Sequence, residues 1–209
     1  MLCPGRLCNL IVIKRTPQGV YLAESGEAKE KVLLPAKQIP EGAGIGAELE
    51  NVFLYRDSSD RLIATLKKPF LTVGHYGRLL VREETEIGYF LDMGLERDLL
   101  MPFREAAKHP KPEVGDYVLV QMYVDKSDRL AATMRIPEEK RKPAELEADG
   151  SAILRRLGEA GGELGLGDAS PGEAIYNEFH ISKACFKRAV GHLYKEGKVR
   201  PEKTRILLM

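Results

Sequence analysis

The chain of 209 residues contains no tryptophan and only three cysteines, Cys3, Cys8 and Cys185. Because these cysteines are odd in number and scattered, the sequence predicts neither a disulfide framework nor a complete metal site. No apolar run approaches the ~20 residues that a membrane-spanning helix needs. The first residues also lack the pattern of a secretory signal peptide. These absences predict a cytoplasmic protein without a membrane partner.

Residues suited to catalysis are also scarce. The four histidines lie in separate segments without a matching cysteine or acidic residue: His75, His109, His180 and His192. A glycine-rich stretch at 42–46 precedes a predicted strand instead of the helix that a phosphate-binding loop requires, so it is interpreted as a turn. The aspartate pairs at 57/60 and 125/128 lie beside arginine on exposed turns, which disfavours the protonated form that an acid catalyst needs. The sequence therefore predicts a protein that is not an enzyme and uses no cofactor.

What the sequence does contain is a long internal repeat. The nine residues DSSDRLIAT at 57–65 return as DKSDRLAAT at 125–133, a shift of 68 positions. Tyr55 and Pro69 return at the same shift as Tyr123 and Pro137. A unit of this length is too long for a solenoid repeat and is typical of a small domain present in tandem.

Each copy of the repeat predicts a five-stranded antiparallel barrel. In the second copy a short helical turn and loop are expected at 103–112, and the strands are predicted at 76–83, 88–93, 98–102, 117–124 and 129–135. Short β-rich segments separated by turn residues are typical of sandwiches and barrels. The clearest strand is 117–124, where Val118, Val120 and Met122 alternate with other residues so that one face can be buried. The fold class is therefore predicted as mainly β, with barrels at 1–69 and 70–137.

The last part of the chain predicts a small α/β domain at 149–209. Before it, the charged and proline-containing segment 138–148 lacks periodicity and is interpreted as a linker. Three helices are then expected: one at 149–160, one that begins at Ser170 as N-cap, and one capped by Ser182. A hairpin at 198–208 and a short strand at 163–166 complete the pattern of a winged helix.

Positive charge is concentrated at this end of the chain. The net charge is only +1, yet residues 176–209 hold eight Lys and Arg against three Asp and Glu. Lys183, Lys187 and Lys195 recur on the third predicted helix, away from its apolar face. A local excess of positive charge attracts polyanions. A solvated charged face is the alternative interpretation, and charge alone does not decide between the two.

Two motifs resemble a known family. Residues 179–195, FHISKACFKRAVGHLYK, resemble the winged-helix signature of the conserved virulence factor B family, and the two DxSDRLxAT phrases resemble that family's S1-like barrels. The resemblance covers nearly the whole chain. It implies two S1-like barrels of the OB-fold class and a winged helix in a bacterial cytoplasmic RNA-binding protein linked to gene regulation. Longer members carry a further S1 barrel before the winged helix, which is missing here.

The resemblance also implies which residues of the barrels bind RNA. Tyr21 and Phe90 match the aromatic residue that follows the glycine of the second strand in S1 domains. The aspartate and arginine of the last hairpin are matched by Asp57, Arg61, Asp125 and Arg129. Two other S1 positions, an aromatic residue and a histidine, are lost; their places are taken by Gln18, Ile87, Pro35 and Pro102. We therefore expect single-stranded RNA as the main partner, bound with reduced affinity per barrel.

Each candidate residue also has a purely structural interpretation. Tyr21 and Phe90 are equally consistent with packing in the core or between barrels. Each hairpin arginine can simply pair with an aspartate of its own turn. The winged helix can bind RNA, duplex DNA or a protein, and the fold alone does not choose. The alternatives to an RNA-binding regulator are thus an interaction adaptor with degenerate barrels and a DNA-binding regulator acting through the winged helix.

Overall fold

The computed structural model describes residues 2–57, 59–108 and 110–209. Five strands form the first barrel: β1 (Leu7–Thr16), β2 (Gly19–Ala23), β3 (Val32–Pro35), β4 (Glu48–Arg56) and β5 (Leu62–Thr65). The barrel closes in the order β1-β2-β3-β5-β4. One pair, β3 with β5, is parallel, whereas the expected barrel was antiparallel throughout.

The second barrel repeats this arrangement. Its strands are β6 (Tyr76–Glu84), β7 (Gly88–Leu91), β8 (Leu99–Pro102), β9 (Tyr117–Val124) and β10 (Leu130–Thr133). They close in the equivalent order, with β8 parallel to β10. A short 3₁₀ turn follows β8 at Phe103–Glu105, as predicted. Val118, Val120 and Met122 are buried inside the barrel, which confirms the alternating pattern of β9.

The third domain is a winged helix. It consists of α1 (Glu138–Glu159), β11 (Glu163–Leu164), α2 (Gly172–Phe179), α3 (Lys183–Lys195), β12 (Val199–Pro201) and β13 (Ile206–Leu208). The strands form a sheet in the order β11-β13-β12. Its core is built on the apolar face of α3, where four residues are buried: Phe186, Ala189, Val190 and Leu193. The predicted fold class, mainly β with a small α/β end, is confirmed.

The predicted linker at 138–148 is wrong, because these residues form the first half of α1, a continuous helix of 22 residues that contains Pro143. The buried positions of this half are Ala144 and Ala148, which are 0% and 1% exposed. Alanine allows the close approach of α1 to β6 but contributes little to a hydrophobic pattern. Packing against the second barrel thus stabilises a helix that the local hydrophobic pattern does not predict.

The two predicted helix caps have different outcomes. Ser182 caps α3 as expected, since its side chain accepts a hydrogen bond from the Cys185 N–H. Ser170 does not cap α2, which begins after Pro171 without a side-chain cap. Instead the Ser170 hydroxyl oxygen accepts a 2.9 Å hydrogen bond from the Gly167 N–H and holds the preceding loop.

None of the helices within the described ranges combines the length and the apolar character needed to cross a bilayer.

Candidate nucleic-acid interface

The two repeated phrases form the same turn. In each, the first aspartate accepts hydrogen bonds of 2.8–3.0 Å from the backbone N–H groups two and four residues later. The fourth residues, Asp60 and Asp128, have φ angles of 62° and 58°. Aspartate tolerates this left-handed conformation better than most residues. The repeated sequence therefore gives both turns the same hydrogen bonds to the first aspartate and the same left-handed fourth residue.

In the first turn the arginine stays within its own hairpin. Arg61 donates through Nε and Nη2 to Oδ2 of Asp57, at 2.9 and 2.7 Å. Partial burial alone would raise the pKa of Asp57, but the hydrogen bonds from Arg61 and Ser59 outweigh it and lower that pKa. The Arg61 side chain nevertheless remains 73% exposed.

In the second turn the arginine reaches the other barrel. Arg129 Nε donates to Oδ1 of Asp60 at 2.9 Å, and this hydrogen bond lowers the pKa of Asp60. In return, Arg56 donates to the backbone oxygen of Asp128 at 2.9 Å and forms an ion pair with its carboxylate. We call these two ion pairs, Arg129–Asp60 and Arg56–Asp128, the turn clasp. The repeat equivalent of Arg56 is Val124, so only the first barrel can supply this second arginine.

Further contacts hold the two barrels together beside the turn clasp. Lys67 of the first barrel pairs with Glu96 of the second at 3.0 Å. Arg97 donates to the backbone oxygens of Arg56 and Asp57. Near the N-terminus, Gly5 lies so close to the second barrel that a Cβ there would be 2.1 Å from Val73. The barrels are therefore packed directly against each other.

Register along the sheets places a matching row of side chains on the outer face of each barrel. Cross-strand partners point to the same side of a sheet. In the first barrel the row is Tyr21, Leu33, Ile63 and Tyr55. In the second it is Phe90, Leu100, Ala131 and Tyr123. Tyr21 and Phe90 thus lie outside the barrel cores, which are filled by their sequence neighbours.

The surroundings of the two aromatic residues differ. Tyr21 is half-buried, with the Lys31 ammonium 5.2 Å from its ring centroid and Arg61 close enough for an electrostatic interaction. Phe90 instead lines a cleft of about 190 Å³ between the barrels. Two tyrosines and several arginines share that cleft: Tyr55, Tyr123, Arg56, Arg97, Arg104 and Arg129. Burial, followed by nearby carboxylates, raises the pKa of Tyr55 and of Tyr123.

The three candidate lysines of α3 are not equivalent. Lys183 is partly buried and its ammonium donates to the backbone oxygen of Ser170 at 2.8 Å. Lys187 pairs with Asp168 at 2.6 Å on the surface. Lys195 is exposed and forms no ion pair within the described part of the chain. The prediction also missed Tyr194, which is 57% exposed on α3. The signal in the sequence was an aromatic residue on the otherwise polar side of the third predicted helix.

The winged helix docks on the second barrel through α1 and the end of α2. Asp149, 3% exposed, pairs with Arg78 of β6 at 2.8 Å. The ring of His180 stacks on Tyr117 with centroids 4.1 Å apart, and Arg155 lies 3.9 Å above the Phe70 ring. This contact engages α1 and α2 and leaves Lys187, Tyr194 and Lys195 exposed on α3.

Comparison with known proteins agrees with this architecture. Residues 4–67 and 73–135 each match the S1 domain family, and residues 151–208 match the CvfB-like winged helix domain. The chain belongs to the conserved virulence factor B family. Both domain types are common among nucleic-acid-binding proteins.

Relatives of this chain, including proteins named conserved virulence factor B, have sequences about one quarter identical to it. Conserved virulence factor B of Staphylococcus aureus strain USA300 is 27% identical over 75% of this chain and 78% of the relative. The uncharacterized protein YitL of Bacillus subtilis is 25% identical over 95% of this chain and 91% of the relative. That alignment spans 276 positions, more than the 209 residues here, so YitL has internal residues without a counterpart.

A solved structure shares the fold of the family member described here. It is a multidomain protein with nucleic acid binding domains from Streptococcus pneumoniae, with a TM-score of 0.53 and 19% sequence identity. The match covers 97% of each chain. At this identity it supports the arrangement of barrels and winged helix, and not the residues of the site.

Proposed function

We propose that this family member is a bacterial, cytoplasmic regulator that binds single-stranded RNA through its barrels, with additional contacts from the winged helix. The observation that carries the proposal is the position of Tyr21 and Phe90. Both rings lie outside their barrel cores, on equivalent strands, and each has cationic side chains beside it. A ring beside a cation provides the two contacts that a nucleotide needs, one for its base and one for its phosphate.

The geometry favours a single strand over a duplex. A base can stack on a protein ring only when it is not already stacked inside a helix, and each such contact contributes about 1–3 kcal/mol. The rings of Tyr21 and Phe90 lie on β-strands, whereas duplex readers usually insert a helix into the major groove. The RNA assignment rests on the family, in which S1 domains are a common RNA-binding module.

The winged helix supplies a second basic surface on the same chain. Lys187 and Lys195 are exposed on α3, and Tyr194 between them adds a ring. Because α1 fixes this domain to the second barrel, a strand held by the barrels would meet α3 at a high effective concentration. Lys183 contributes less to this surface, since its ammonium already holds Ser170.

The test is a binding panel with the full chain. Single-stranded RNA, duplex RNA, single-stranded DNA and duplex DNA of one sequence are compared at two salt concentrations. We expect single-stranded RNA to bind best, and each phosphate contact to add about 0.7 to the salt slope. The double variant Lys187→Gln/Lys195→Gln should flatten that slope, whereas Lys68→Gln, a matched change outside the surface, should not.

Two results would contradict the proposal. Preferential binding of duplex DNA that depends on Lys187 and Lys195 would favour a DNA-binding regulator. An absence of binding to all four nucleic acids would favour a protein-interaction adaptor.

A further inference from the structure

Arg129 occupies a position that binds RNA by resemblance to S1 domains, yet here it is already engaged. Its Nε lies 2.9 Å from Oδ1 of Asp60, which belongs to the other barrel. Both side chains remain about half exposed, at 57% and 51%. A carboxylate and a phosphate present the same kind of anionic oxygen to a guanidinium group. Asp60 therefore makes the contact that a nucleic-acid phosphate would make.

The local sequence does not impose this contact. Arg129 has an aspartate of its own turn, Asp125, at the position that Asp57 holds relative to Arg61. In the first turn the arginine takes that local aspartate. In the second turn Arg129 pairs with Asp60 instead. Arg56 of the first barrel adds an ion pair with Asp128, next to Arg129 in the second barrel. The pairing depends on how the barrels are packed together.

The same contact places the first barrel against the expected ligand face of the second. The cleft that contains Phe90, Tyr123 and Arg129 is completed by Tyr55 and Asp60 from the first barrel. A nucleotide whose base stacks on Phe90 would bring its phosphate toward the arginines of this cleft. It would then compete with Asp60 for Arg129.

We propose that Asp60 acts as an internal substitute for phosphate, so that a single strand binding at the second barrel must displace it and open the turn clasp. This inference rests on the proposed function and adds a regulation of the same site. The first barrel binds through Tyr21 and Arg61 without any change between the barrels, because the Arg61–Asp57 pair lies within one hairpin. The second barrel binds only when the turn clasp opens. The free energy of opening the clasp is therefore subtracted from the free energy of binding.

The test measures binding of a fluorescein-labelled 12-residue uridine RNA to the full chain at low salt. Asp60→Asn removes the charge but keeps a residue that tolerates the positive φ of this turn. It should tighten binding by about two- to five-fold, the range typical of an exposed ion pair. Glu96→Gln is the matched control, because it removes one negative charge and one ion pair between the barrels but leaves Arg129 on Asp60.

Two further variants test whether the tighter binding comes from opening the turn clasp. In the double variant Asp60→Asn/Arg129→Gln the gain should disappear, because it depends on the freed guanidinium. Should Asp60→Asn fail to fold, as judged by circular dichroism, Asp128→Asn opens the same clasp from its other half and should also tighten binding.

The outcomes separate this inference from the proposed function. Tightening by Asp60→Asn alone, or binding by that variant when the wild type does not bind, supports it. An unchanged affinity, or an equal gain with Glu96→Gln, overturns the inference while RNA binding by the wild type still stands. Failure of every variant to bind RNA overturns both.

Discussion

The two barrels carry the same nine-residue phrase and the same turn but use their arginines differently. Arg61 bonds within its own hairpin, whereas Arg129 bonds across to Asp60 of the other barrel. The hydrogen bonds from backbone N–H groups to the first aspartate depend only on neighbouring residues, so both turns share them. The partner of a long, flexible side chain depends on what tertiary packing brings near it. A repeated motif therefore gives repeated hydrogen bonds within the turn but not repeated contacts of its arginine.

The largest expected effect is a loss of stability at a position where the two barrels have the same local structure. Gly19 and Gly88 begin equivalent strands with φ of 154° and 152°. A Cβ would lie 2.0 Å from the Leu34 oxygen in the first case and 2.3 Å from the Met101 oxygen in the second. Each change to alanine should destabilise its own barrel by at least about 2 kcal/mol.

The measurement is native-state hydrogen exchange, read separately for the strands of each barrel. Gly44→Ala is the control, because a Cβ there meets no atom within 4 Å. If Gly19→Ala leaves the first barrel as protected as the wild type, the equivalence of the two barrels is disproved.

The next prediction concerns the two rings. Tyr21→Ala should weaken binding of single-stranded RNA by roughly ten-fold, the loss of one stacked base. Phe90→Ala should weaken it less, because the clasp already limits access to its cleft. Fluorescence anisotropy gives both affinities, and Ile45→Ala, a similar truncation of a side chain 73% exposed, is the control. An equal loss for both rings would show that the barrels bind alike.

These expectations depend on details that the sequence revealed only in part. The strands of the second barrel were predicted to within two residues, because apolar residues alternate clearly in segments such as 117–124. The first half of α1 was missed because its buried face consists of Ala144 and Ala148. The partner of Arg129 lies 69 positions away on another barrel, and no local pattern specifies that distance. One signal was readable: Arg56 has Val124 as its repeat equivalent, which marked the repeats as unequal.

A smaller effect is expected when each arginine is replaced by glutamine. Arg61→Gln should weaken RNA binding by about two- to five-fold and lower the salt slope by about 0.7, the loss of one phosphate contact. Arg129→Gln should change the wild-type affinity less, since binding must first displace Asp60. The measurement is RNA affinity at four salt concentrations. A larger loss for Arg129→Gln than for Arg61→Gln would show that the pairing of Arg129 across the barrels does not limit its contact with RNA.

The smallest effect is a pH dependence that distinguishes the two turns directly. Hydrogen bonds from Arg129 and from Arg61 lower the pKa of Asp60 and of Asp57, respectively, in the folded chain. A carboxyl group with a lowered folded pKa stabilises the fold above its ordinary pKa, and this contribution is lost as the pH falls through the folded value. Acidification from neutral pH should therefore loosen the turn clasp before it unfolds either barrel.

Carboxyl-carbon chemical shifts, followed by NMR as the pH falls, measure each aspartate separately. Arg129→Gln should move the midpoint of Asp60 to higher pH and leave that of Asp57 in place, because Arg129 belongs to the clasp. Arg61→Gln should move the midpoint of Asp57 to higher pH and leave that of Asp60 in place, because the ion pair of Arg61 is confined to its own turn. Since both arginine side chains are more than half exposed, both shifts should shrink in high salt. If Arg129→Gln moved Asp57 instead, Arg129 would bond differently from the clasp described here, and the two repeats would be alike after all.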